Sequence, residues 1–113
     1  MRSIDIHAHI TPQCYYQATD RGGEWHTVKR ELDARGQEIM VAGDRRAPLP
    51  PRSSWTPEQR LVDMDSLGVD IHVVSPYAEI YNYDLDTAIA TATSIETNDE
   101  IGQMTKSWPD RFA

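Results

Sequence analysis

The first ten residues alternate in side-chain character: Ile4-Asp5-Ile6-His7-Ala8-His9-Ile10 sets a polar group between apolar neighbours at every second position. Alternate side chains of a strand share a face, so the pattern predicts a strand over residues 3–10. Asp5, His7 and His9 are expected on one face, and Ile4, Ile6, Ala8 and Ile10 on the other. An apolar row of this kind needs cover, which predicts a parallel strand buried on both sides. Thr11-Pro12 stops the strand and leaves His9 at its C-terminal edge. Residues 13–55 then show no clear helical period. Within them, 26–32 and 37–42 flank Asp33-Ala34-Arg35-Gly36, a hairpin pattern, and Ala47-Pro48-Leu49-Pro50-Pro51 predicts irregular backbone. A connection of this length is uncommon in compact domains and is expected to fold over the strand ends.

A helix is well signalled next. Thr56 is the N-cap, Pro57 takes the first helical position, and Gln59 completes a capping box. Leu61, Met64 and Leu67 form the expected buried stripe, and Gly68 ends the helix. Val69 to Ser75 is a second, β-branched strand stopped by Pro76. A second helix is predicted over about 84–107, with Leu85, Ala88, Ile89, Ala92, Ile95, Ile101 and Met104 near a 3.6 period. Trp108-Pro109 closes it, and Arg111-Phe112-Ala113 reads as the approach to a third strand. Strand, loop, helix, strand, helix and a further strand predict an α/β fold with parallel, right-handed crossovers. Two strands and two helices leave edges and faces bare, so these residues are expected to be part of a larger fold.

Composition narrows the partners. The 113 residues fit one ordinary domain and are 39% hydrophobic. No apolar run approaches the roughly 20 residues that span a bilayer, and no secretory leader pattern opens the chain. A single cysteine, Cys14, excludes an internal disulfide and suits a reducing compartment, which predicts a cytoplasmic protein. Beside Tyr15 and Tyr16 it is expected to be partly buried and to have no catalytic role. Asp and Glu total 18 against 11 Lys and Arg, a net charge of −7. With no basic stripe, neither nucleic acid nor a membrane is expected as a partner.

The chemistry concentrates in His7 and His9. Two residues apart on a strand, their Cα atoms lie about 6.6 Å apart, from which two imidazoles can reach one ion at about 2.0–2.1 Å. On a helix they would point about 200° apart. Such pairs also occur as exposed faces or satisfied core residues. Continuity with Asp5 and a place at a strand's C-terminal end, where α/β sites gather, favour a metal site. Asp5 is either a hydrogen-bond acceptor orienting a histidine or a core residue. Arg52 is either a fork for a substrate carboxylate or a solvated arginine among prolines. Tyr77, Tyr81 and Tyr83 follow the second strand and either stack on a planar substrate or pack locally. Ser75 and Glu79 sit there without a constellation that makes either a nucleophile or a base. His26 is expected at the surface and His72 in the core, neither as a ligand.

The assembled pattern resembles the aminocarboxymuconate-semialdehyde decarboxylase-like branch of the amidohydrolase superfamily. The resemblance rests on Asp5-Ile6-His7-Ala8-His9 with Pro12, Trp55-Thr56-Pro57-Glu58-Gln59-Arg60, Met64-Asp65-Ser66-Leu67-Gly68-Val69, Asn98, and Trp108-Pro109-Asp110-Arg111-Phe112. It implies the first two β/α units of a (β/α)8 TIM barrel, incomplete in this chain. It also implies that His7 and His9 are metal ligands, joined by a histidine and an aspartate from later strands. The implied cofactor is a divalent metal, zinc or alternatively manganese. The implied reaction is decarboxylation or hydrolysis of a small unsaturated or aromatic carboxylic acid, in a homodimer, with this segment alone inactive. Family members carry an arginine one position away from Arg52. The alternative is a truncated, catalytically silent βαβ module that assembles or binds metal only.

Overall fold

Strand β1 spans Ile4–Ile10 and stops, as its sequence predicts, at Thr11-Pro12. The computed structural model describes residues 2–113. After β1 come α1 (Gln13–Thr19), β2 (Lys29–Leu32), β3 (Glu38–Ala42), β4 (Arg45–Pro48), α2 (Pro57–Leu67), β5 (Ile71–Pro76) and α3 (Thr87–Ser107). The fold is mixed α/β. β1 and β5 form a parallel pair, while β2, β3 and β4 form an antiparallel sheet in that order. On the other edge of β5, residues 111–113 run parallel to it: His72 N–H donates to Arg111 O at 2.9 Å and Val74 N–H to Ala113 O at 2.8 Å. At the residues read as the approach to a third strand, the structure has one isolated parallel bridge, between His72 and Phe112.

Helix α2 forms as its local signals dictate. Thr56 and Gln59 exchange side-chain and backbone hydrogen bonds, and Gly68 caps the end at φ 70°, a left-handed conformation that suits glycine. Met64 is fully buried against Ala8, Ile10, Val74, Met104 and Phe112. A second cluster joins α1 to the antiparallel sheet through Tyr15, Trp25, Val28, Met40, Ala42, Leu49 and Ile80.

Several expectations are corrected. Residues 13–55, read as a long connection holding one hairpin and no clear helical period, also contain α1 and a third strand, and the stretch 47–51 read as irregular overlaps the last two residues of β4. The hairpin itself stands, turning at Asp33–Gly36. On β1, Ala8 and Ile10 are buried, but Ile4 and Ile6 are 54% and 81% exposed. Leu67 is exposed rather than part of the α2 stripe. Helix α3 starts at Thr87, not near 84, and buries Thr93, Thr97 and Met104 while Ala88 and Ile95 face solvent. A helix that meets polar neighbours buries hydroxyls as readily as methyls when each hydroxyl has a partner. Thr97 Oγ1 donates to Thr93 O at 2.7 Å, and Thr93 Oγ1 accepts from the Asn82 amide at 3.3 Å.

Candidate metal centre

The register of β1 on β5 decides where each polar side chain goes. Asp5 pairs with His72 and Ala8 with Val74, so three steps on β1 match two on β5. The extra residue is a bulge at Ile6–His7, and a one-residue slip moves what precedes it to the other face. Paired residues share a face. His9 therefore lies with Ser75, and Asp5 with His72, Ala8 and Val74. The expected row of Asp5, His7 and His9 is broken at Asp5. Its Oδ1 accepts from the His7 backbone N–H at 2.9 Å, and its Oδ2 stands 3.7 Å from His72 Nε2. It orients neither His7 nor His9 through a ring nitrogen.

The two histidines do meet. Their ring centres are 4.5 Å apart, edge to face at 82°. Two imidazoles sharing a tetrahedral ion at about 2.0–2.1 Å per bond place their ring centres about 5 Å apart, so the spacing suits a common ligand with little adjustment. Ser75 Oγ lies 2.9 Å from His9 Nδ1. With Nδ1–H donated to that hydroxyl, His9 keeps its Nε2 lone pair free for an ion. Sequence reasoning noted Ser75 but assigned it nothing; the signal was its place at the end of β5, level with His9. Among the described residues, no group of three or more His, Cys, Asp or Glu side chains comes together. The pair fits two ligand positions of a site that needs at least one more donor.

An open cavity of about 220 Å³ contains His7 and His9, and Asp5, His72, Arg52, Trp55, Arg60 and Asp63 also line it. Arg52 sits on a 3₁₀ turn, Pro51–Ser54, with its guanidinium over the Trp55 ring at 5.3 Å and Nη1 3.6 Å from Asp63. Its side chain is 68% exposed, so most of its donors face the cavity mouth and solvent. Arg60, by contrast, is buried. Burial pulls its guanidinium below the usual range, opposed by Asp63 and Tyr16. Tyr77 lies 6.4 Å from His9 between ring centres, whereas Tyr81 and Tyr83 pack on each other at 5.5 Å. Glu79 is tied to Arg45 at 3.2 Å.

Of the other two histidines, His72 lines the same cavity from β5 and His26 lies outside it. His26 is exposed and bonded to Glu96 at 2.8 Å. His72 is buried in the sheet, and burial lowers its pKa, with Asp5 opposing and Arg60 reinforcing the shift. Cys14 is half-buried, and burial together with Glu100 and Glu96 pushes its thiol up to about 12, which leaves it unreactive. Asn98 is exposed on α3. No helix of the described residues is long and apolar enough to cross a membrane. A comparison with models of known protein families finds none that matches the chain.

Proposed function

We propose that this chain contributes the first two β/α units of a TIM barrel of amidohydrolase type. On this reading it belongs to a metal-dependent carboxy-lyase or hydrolase acting on a small unsaturated or aromatic carboxylic acid. The observation that carries the reading is the His7–His9 pair, 4.5 Å apart at the C-terminal end of a parallel strand, with Ser75 held on His9 Nδ1. His7 and His9 would hold a divalent ion, with zinc suiting imidazole best and manganese the alternative; later strands would supply the remaining ligands. Such an ion lowers the pKa of its water and polarises a substrate oxygen.

The chain's own residues do the rest. Arg52 offers a fork of donors to a carboxylate at the cavity mouth, and the Trp55 face beside it suits a flat, unsaturated substrate. Zinc content by mass spectrometry, followed by equilibrium dialysis, tests the reading. The barrel completed by the later strands is expected to bind zinc, and His7→Ala with His9→Ala to lose it. Equal zinc in parent and double variant would sink the proposal. Zinc retained without turnover of any benzoate-like or muconate-like acid by the assembled barrel would favour the silent module.

A further inference from the structure

Successive carbonyls of a strand point to opposite edges. Ile10 O accepts from Tyr77 N–H at 2.7 Å on the β5 side, so His9 O points to the other edge of β1. Among the described residues no strand pairs with that edge. Arg60 occupies it instead. Its Nη2 donates to His9 O at 3.0 Å and to Arg52 O at 3.1 Å. Two residues beyond His9, Thr11 N–H donates to Ser53 O at 3.1 Å, so the 51–54 turn runs beside the same edge. Arg60 as a whole is only 6% exposed. A guanidinium is unfavourable to bury unless its donors are used, and an apolar residue would fill the same space at less cost. Directed bonds to these two carbonyls, rather than packing, account for an arginine here.

We infer that Arg60 is a positioning residue that sets the distance between the metal pair and the carboxylate fork. One nitrogen holds the His9 peptide just after the bulge, where β1 regains its register, and holds the Arg52 peptide beside it. The His9 ring direction follows from that peptide, and the reach of Arg52 from the turn. The inference rests on His7 and His9 being metal ligands.

Zinc affinity, measured by competition with a chromophoric chelator, tests it in Arg60→Met and Arg60→Lys. Met removes both bonds and is expected to raise the zinc dissociation constant about tenfold, as loss of a residue supporting a ligand typically does. Lys keeps the charge and one reach, and is expected to recover part of that loss. The ¹³C carbonyl signals of His9 and Arg52 should both shift in Arg60→Met. Met64→Val is the control, because it loosens the core under the same helix without touching either carbonyl; its zinc affinity should match the parent's. Parent-like affinity in Arg60→Met overturns the inference, as does an equal loss in Met64→Val. Should Arg60→Met fail to fold, Arg60→Lys decides alone, and parent-like affinity with either carbonyl signal displaced overturns it. A parent that binds no zinc removes the metal reading itself, and this inference with it.

Discussion

At the scale of single residues, two hydrogen-bonding details carry the most consequence. Ser75 holds His9 Nδ1, so its loss frees the imidazole to rotate and change tautomer without disturbing the fold. Ser75→Ala is expected to weaken zinc binding about tenfold or more, read by chelator competition; an unchanged constant would strip Ser75 of this part. His72 makes the opposite case, a buried imidazole whose Nδ1 has no partner. Burial lowers its folded pKa below the ordinary histidine value of 6.5. Below that value the unfolded chain takes up a proton that the folded chain resists, so stability is present above the unfolded pKa and declines as pH falls towards the folded one. Urea midpoints at a series of pH values from neutral downward should therefore fall more steeply for the parent than for His72→Gln. Parallel curves would show that His72 titrates alike in both states. The place of His72 in the core was legible from its position in the middle of a β-branched strand. The partners were not: which group meets Ser75 or His72 depends on the strand alongside, and the bulge that pairs Asp5 with His72 exists only in the pairing.

At the scale of elements, what is encoded locally was legible and what is completed from a distance was not. Helix α2 carries its own punctuation: Thr56, Pro57, Gln59 and Gly68 all do what their positions demand. Nothing crowds a Cβ built on Gly68, so Gly68→Ala costs only the left-handed backbone, about 1 kcal/mol. Thr56→Ala removes the N-cap and should cost about the same. Both are read as shifts in urea midpoint, with Gly68→Asn expected to lose less than Gly68→Ala; the reverse order would refute the left-handed cap. Helix α1 shows why the neighbouring element escaped notice. Its N-cap is Pro12, which offers no side-chain acceptor. The carboxylate that satisfies its first N–H groups is Glu100, which accepts from Gln13 at 2.6 Å and from Cys14 at 3.0 Å across most of the chain. A two-turn helix capped from so far away leaves no start signal in its own sequence. Strand β4 was hidden by its prolines: Pro48 stands at its last position, where a missing N–H is tolerated.

At the scale of the molecule, the chain is a slab of 46 × 33 × 21 Å with a radius of gyration of 14.7 Å. A compact domain of this length would have about 13 Å. The flatness follows from two apolar clusters that share no residue, one under β1 and β5 and one under the antiparallel sheet. What joins them is largely polar and runs through α3. Glu96 and Glu100, one turn apart on one face, accept from the Trp25 indole and from the N-terminus of α1, while Met104 further along sits in the other cluster. Arg45 adds a second tie, reaching Asn82 at 2.9 Å and Asp84 at 3.1 Å from β4. Glu100→Ala leaves two α1 donors without their acceptor, at a cost of about 1–3 kcal/mol. If α3 is the spine, the loss falls unevenly. Amide exchange should speed up at Trp25, Val28 and Met40, while Val74 and its neighbours on β1 and β5 keep their protection. Cys14 gives an independent reading, because Glu100 is among the charges that hold its thiol up. Removing that charge should hasten its reaction with a disulfide reagent at pH 8, as more of it becomes thiolate. Exchange accelerating equally in both clusters, with Cys14 no faster, would mean that the halves are coupled through contacts other than α3.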